Sequence, residues 1–159
     1  MSSHQQIYQN QTEAYEFMID RQPSILPLIN KIRSVKGLDV LDLGAGSGRI
    51  SGVIAQEAKS VICTDASAEM LELLDHKLTE QGIERNWKTI VADHRSLPIP
   101  DQSVDLVVSG WSICYLADSD EEGWADNLRQ IMLEIRRVLR SGGTVIVFET
   151  MGTGTETPN

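Results

Sequence analysis

The residues best placed to do chemistry begin at Val40, where VLDLGAGSGR carries an apolar run directly into Gly44, Gly46 and Gly48. Such a turn permits positive φ and clears side chains from the path, so the backbone can approach a ligand closely. A helix starting just after it would offer N–H groups to a polar or anionic part of that ligand. The alternative is a turn with no ligand, but three glycines weaken a turn that binds nothing. The spacing is GxGxG, whereas the dinucleotide fingerprint GxGxxG needs its third glycine at position 49, which is Arg49. About twenty residues beyond the loop, Asp65 closes a second apolar run, where a carboxylate can accept both hydroxyl protons of a ribose. Its plainer role is a solvated or capping acid, although Ser67 suffices as the cap. Asp93 follows a third run and opens DHR; it could accept a proton from an adenine amino group or be an ordinary loop acid.

These residues need elements to hold them. Ile25, Leu28, Ile29 and Ile32 recur at helical spacing, predicting an amphipathic helix over Pro23–Val35 that Gly37 ends. Strands are expected at Leu38–Leu43, Ser60–Thr64, Trp87–Ala92, Val104–Ser109 and Thr144–Glu149. Between them fall helices at Arg49–Lys59, at Ser67–Gln81 with Ser67 as N-cap, and at Trp124–Arg140, the last with Leu128, Ile131, Met132, Ile135 and Leu139 on one stripe. Alternating strands and helices predict an α/β fold: a doubly wound, mostly parallel sheet of about five strands covered on both faces. The organisation expected is one domain over 1–159, with a helical segment at 1–36, a core at 37–150 and a Gly- and Thr-rich tail at 151–159.

The chain has 159 residues, 41% of them apolar and 23% charged, which suits one well-buried core and excludes two ordinary domains. Its net charge of -9 offers no basic face for a phosphate backbone, so nucleic acid is not an expected partner. Without a signal peptide or membrane span, the expected location is cytoplasmic. Cys63 and Cys114 sit in apolar runs with no ligand spacing around them; they are expected to be reduced core residues, and no metal site is expected.

Four stretches in order resemble the class I S-adenosylmethionine-dependent methyltransferases, a Rossmann-like family, and the resemblance runs from about Tyr8 to Glu149. VLDLGAGSGR is similar to the family's first motif, DASAEML at 65–71 to its ribose-binding strand end, VADHRSLP at 91–98 to its adenine-side loop, and RRVLRSGGTVIVFE at 136–149 to its helix, glycine turn and fifth strand. The resemblance implies S-adenosylmethionine as cofactor and a small molecule as methyl acceptor. Gly44, Ala45 and Gly46 would pass along the methionine portion, with Asp42 close behind. Asp65 and Ala66 would lie at the ribose, Met70 near the nucleoside, Asp93 at the adenine amino group and the His94 amide beside the ring. Ser109, Gly110 and Trp111, continuing to Ser112, would bring backbone carbonyls near the ligand's ammonium.

Methyl transfer from a sulfonium needs alignment and exclusion of water before it needs a base. If the acceptor must lose a proton, His94, Tyr115 and Glu149 are the candidates near strand ends, each with an ordinary structural role as the plainer reading. Tyr8 and Tyr15, seven apart on one helix face, could form a lid or pack in the core. The family's sheet usually carries seven strands, whereas this chain stops at Asn159, soon after the fifth. The fifth strand, TVIVFE, is therefore expected to be an open apolar edge able to pair in a homodimer. A binding domain that does not turn over alone is the second reading, and an NAD-dependent oxidoreductase the third.

Overall fold

The computed structural model describes residues 21–118 and 122–150. Tyr8, Tyr15 and the 151–159 tail lie outside the described residues. Five strands, β1 (Asp39–Leu43), β2 (Ser60–Asp65), β3 (Trp87–Val91), β4 (Val104–Gly110) and β5 (Leu139–Phe148), form one sheet in the order β3-β2-β1-β4-β5. Every pairing is parallel, which makes the sheet wholly rather than mostly parallel. The inner strands β1, β2 and β4 are buried on both faces, which is why they read as unbroken apolar runs, whereas the outer β3 and β5 are partly exposed. On one face Val40, Val61, Leu106, Val108 and Ile146 meet Ile29 of α1 (Leu26–Ile32), Ile54 of α2 (Ser51–Ile54), and Leu74 and Leu78 of α3 (Ala68–Glu80). On the other, Leu41, Leu43, Ile62 and Val107 meet Ile131, Ile135 and Val138 of α5 (Trp124–Val138).

Strand order reverses between β1 and β4. In open α/β sheets the crevice beyond the carboxyl ends of the strands at such a reversal is where ligands bind. Gly44 follows β1 there, and Ser109 and Gly110 end β4.

Several expected boundaries move. α1 is shorter than 23–35: Pro27, not Pro23, stands in its first turn, Arg33 is already extended, and Leu28 (57%) and Ile32 (61%) are exposed. α2 is a single turn in place of the helix expected over 49–59. The Asn86 side-chain amide donates to the Ala55 and Ala58 carbonyls, each at 2.9 Å, and the Gly37 N–H donates to the Glu57 carbonyl, so carbonyls that a longer helix would use are already satisfied. α5 ends at Val138 and β5 begins at once, with an irregularity between Val104 and Leu106 that accommodates Gly142 at φ +77. Of the expected stripe on α5, Leu128 and Met132 are exposed. A short helix, α4 (Ile113–Asp118), was not expected, because its apolar residues read equally as a continuation of the strand. Cys114, expected in the core, is exposed on α4; only Cys63 is buried.

Candidate functional site

The three glycines of the loop are required for three different reasons. A Cβ on Gly44 (φ +76) would fall 1.8 Å from Ser112 Oγ and 3.1 Å from His94 Nε2, so here the close approach is made by the protein itself. A Cβ on Gly48 (φ +95) would lie 2.9 Å from Leu74 Cγ, so that glycine serves the packing of α3. Only at Gly46 (φ +53) would a Cβ meet nothing within 4 Å, leaving open space beside the loop. The loop's amides are largely committed: Gly44 and Ala45 both donate to the Thr64 carbonyl, and Gly46 donates to Asp65 Oδ2 at 2.9 Å. Asp65 Oδ1 accepts from the Ser67 amide at 2.9 Å, so this carboxylate ties the loop to the start of α3. An N–H already held by a carboxylate is a poor seat for a pyrophosphate, which argues against a dinucleotide.

Behind the loop, Asp42 is fully buried. Its Oδ2 accepts from Ser51 Oγ at 2.5 Å, Ser51 Oγ lies 3.2 Å from Cys63 Sγ, and Oδ1 has no partner. Burial lifts the Asp42 carboxyl to about 7; its bonds to Ser51 oppose the rise and the nearby Asp65 adds to it. Burial, with the Asp42 charge, pushes the Cys63 thiol up to about 12, which keeps it protonated and inert.

Across the crevice, His94 is 7% exposed and its Nε2 lies 2.6 Å from Ser112 Oγ. Burial lowers the pKa of the imidazole, partly offset by Asp65 and Asp93, so the ring is neutral near pH 7. Asp93 turns toward Arg95: its carboxylate takes Nη2 at 2.6 Å and the Arg95 amide at 2.8 Å, and that pairing holds it at about 2. Trp111, at φ +53, stacks on Phe148 with ring centroids 6.1 Å apart and carries the Arg49 guanidinium 4.3 Å from its own centroid. A Cβ on Gly110 would lie 2.5 Å from Ile50 Cδ1, so a larger residue there would have to displace the end of that side chain. Glu149 accepts from the Cys114 amide at 3.2 Å and so caps α4, while Tyr115 is 39% exposed on the same helix.

Four buried side-chain polar atoms among the described residues lack a hydrogen-bond partner, and three of them, Asp42 Oδ1, His94 Nδ1 and Ser109 Oγ, lie around these strand ends. Buried polar groups are ordinarily satisfied, so such a concentration marks a site rather than a packing defect. An open hollow of about 740 Å³ elsewhere, between α3 and the outer strand β3, includes none of these groups.

A family model described as a methyltransferase domain matches residues 41–147, from β1 to the end of β5. The chain belongs to this methyltransferase family. It is 35% identical over 127 residues to the malonyl-[acyl-carrier protein] O-methyltransferase of Hamiltonella defensa, covering 80% of this chain and 43% of that protein. It is 32% identical over 125 residues to the ubiquinone/menaquinone biosynthesis C-methyltransferase UbiE of Coxiella burnetii, covering 76% and 46%. The PH0226 protein from Pyrococcus horikoshii shares the fold with a TM-score of 0.67 and 28% identity, covering 84% of this chain and 57% of that one. The chain thus spans less than half the length of these curated relatives.

The methyltransferase fold brings together most of the residues picked from the sequence: Asp42, Gly44, Ala45, Gly46, Asp65, His94, Ser109, Gly110 and Trp111. Met70 is buried at the first turn of α3, its amide donating to the Ser67 cap, while Ala66 is exposed. Asp93 stands apart, half-exposed and paired. The open space at Gly46 and the unpartnered polar atoms nearby fit a nucleoside cofactor with an amino-acid tail. Sequence reasoning missed Ser51, which only the fold brings under Asp42, and the side chain of Ser112, whose signal was its place at the end of the β4 turn.

Proposed function

We propose that this domain transfers a methyl group from S-adenosylmethionine to a small-molecule acceptor. The observation that carries the reading is the crevice at the β1/β4 reversal, where a glycine with open space, a strand-end carboxylate and three unpartnered buried polar atoms converge. In this reading Gly44, Ala45 and Gly46 line the methionine portion, and Asp42 lies beneath them. Asp65 keeps two bonds to the backbone and offers its remaining lone pairs to the ribose hydroxyls. Ala66 and Met70 flank the nucleoside and the His94 amide faces the adenine, while Asp93, paired with Arg95, would reach the adenine amino group only by turning from that partner. Carbonyls from Ser109 to Trp111 receive the ammonium.

When bound, S-adenosylmethionine supplies an electrophilic methyl on a sulfonium. The chain's own contribution is to orient that group, exclude water and present no strong competing nucleophile; the one buried thiol, Cys63, stays protonated. Glu149 caps α4 and His94 is held by Ser112, so of the three candidate bases only Tyr115 is exposed, and an acceptor needing no base suits the site best. The named relatives are a malonyl-[acyl-carrier protein] O-methyltransferase and a ubiquinone/menaquinone biosynthesis C-methyltransferase, which is why a biosynthetic acceptor and a cytoplasmic setting are proposed here. No helix of the described residues is long and apolar enough to cross a membrane. The acidic chain suits neither nucleic acid nor an anionic surface.

The alternative is cofactor binding without turnover by this segment alone, and its relatedness to named methyltransferases does not favour it. A methyl-release assay over a panel of carboxylate and quinol acceptors separates the two. Release with any acceptor supports the enzyme, and tight cofactor binding with none supports the second reading. Preference for NAD over S-adenosylmethionine would overturn both.

A further inference from the structure

We propose that Ser112 is a specificity-determining hydrogen-bond donor for the α-carboxylate of the cofactor's methionine portion, held in place by His94 as a positioning residue. The proposal rests on the cofactor assignment above. Ser112 Oγ has one hydrogen-bond partner among the described residues, His94 Nε2, 2.6 Å away. Both groups rest directly on Gly44, close enough that a Cβ there would overlap Oγ at 1.8 Å. They therefore roof the first turn of the glycine loop, and the open space begins two residues on, at Gly46.

The direction of the His94–Ser112 bond follows from the other ring nitrogen. Nδ1 is buried and unpartnered. A neutral imidazole carries one N–H, and an orphaned buried N–H is a rarer and costlier arrangement than an under-used acceptor. The proton therefore belongs on Nε2, which donates to Ser112 Oγ. Ser112 then accepts from His94 and keeps its own O–H free to donate, with no acceptor for it among the described residues. Ser112 is half-buried, so water competes less for that O–H than it would at an open surface.

A donor fixed there selects an oxygen acceptor and disfavours the sulfonium. In the assignment above the methionine portion lies on the β1/β4 side of the crevice, and its α-carboxylate is the one anionic acceptor of the cofactor, so it is the group a hydroxyl donor there prefers. His94 sits at the end of β3 and Ser112 beyond β4, so the bond also couples the two loops that flank the cofactor. Nothing in the glycine motif or the strand-end acids supplies this contact; it depends on a histidine and a serine brought together by the fold.

The test is calorimetric titration of the wild type, Ser112→Ala, His94→Ala and His94→Gln with two ligands. S-adenosylhomocysteine carries the carboxylate, and 5′-methylthioadenosine lacks the amino-acid tail. Ser112→Ala and His94→Ala are each expected to weaken S-adenosylhomocysteine roughly tenfold or more, the scale of one hydrogen bond to a charged group, and to leave 5′-methylthioadenosine unchanged. His94→Gln, which can still donate toward Ser112, is expected to recover most of the loss. The double alanine variant is expected to lose no more than the worse single one. Equal weakening of both ligands would mean that the pair only holds the loops together, and no weakening of either would remove Ser112 from the site; each overturns the proposal. If Ser112→Ala does not fold, the His94→Ala and His94→Gln pair decides by the same comparison. If the wild type binds neither ligand, the cofactor assignment itself has failed.

Discussion

Replacing Asp42 by asparagine should stabilise the domain above neutral pH and change how its stability depends on pH. In the native protein burial holds the Asp42 carboxyl at about 7, against an ordinary value of 3.8. Between these values the unfolded chain has released the proton and the native state retains it, so the native state binds more protons and stability falls as pH rises. The contribution is fully present below pH 4 and lost on passing through about 7. At ~1.4 kcal/mol per pH unit over a span of about three units, the loss approaches ~4 kcal/mol. Asparagine removes that dependence but places an amide N–H₂ where Oδ1 has no partner, at a cost of ~1–3 kcal/mol at every pH. Asp42→Asn should therefore be less stable than wild type near pH 4 and more stable by ~1–3 kcal/mol near pH 8. Urea unfolding of both proteins at intervals from pH 4 to 8 measures this difference, and the subtraction cancels the carboxylates held low, such as Asp93 and Glu134. A difference that stays flat across the range would refute the argument, because Asp42 would then be ionised natively.

Other consequences follow from neighbouring contacts. Gly44→Ala should destabilise the fold by ~2–4 kcal/mol, because it adds a clash with Ser112 to the positive-φ penalty, whereas Gly46→Ala should lose only ~1 kcal/mol of stability yet weaken cofactor binding; thermal melts and titration of the two variants distinguish them. Arg137 donates to the Leu97 and Ile99 carbonyls and pairs with Glu134 and Asp101, so Arg137→Ala should destabilise by ~2–3 kcal/mol and raise amide exchange through 95–101. β5 pairs only with β4 among the described residues, and Val145 and Val147 are exposed along it; with no lysine or proline to discourage pairing, two copies are expected to associate through this edge. Light scattering at tens of micromolar checks this, and a clean monomer with freely exchanging amides over 144–149 would refute it.

The centre of the sheet was legible because β1 and β4 are buried on both faces, so LDVLDL and VDLVVS read as continuous apolar runs of strand length. The helix ends were not. α2 stops where Asn86, 31 and 28 positions beyond Ala55 and Ala58, takes the carbonyls of those two residues, and no local pattern in SGVIAQEAK announces that. α1 and α5 each carry more apolar residues than they bury, so periodicity overstated Leu28, Ile32, Leu128 and Met132. At the site, the glycines and Asp65 were legible from spacing, since a motif repeats the same local geometry. Their individual reasons were not, because Gly44 answers to Ser112 and Gly48 to Leu74, both distant in sequence. The expected roles of Asp93 and Glu149 missed their protein partners, Arg95 and the Cys114 amide.

The central claim, that S-adenosylmethionine binds at the β1/β4 crevice with its ribose on Asp65, is tested most directly by titrating it into wild type and Asp65→Ala. The wild type should bind, and the variant, folded by circular dichroism, should bind more weakly by ~1.5–3 kcal/mol, the value of a hydrogen bond to a charged group. Equal affinity in the two proteins would contradict the assignment and move the cofactor elsewhere.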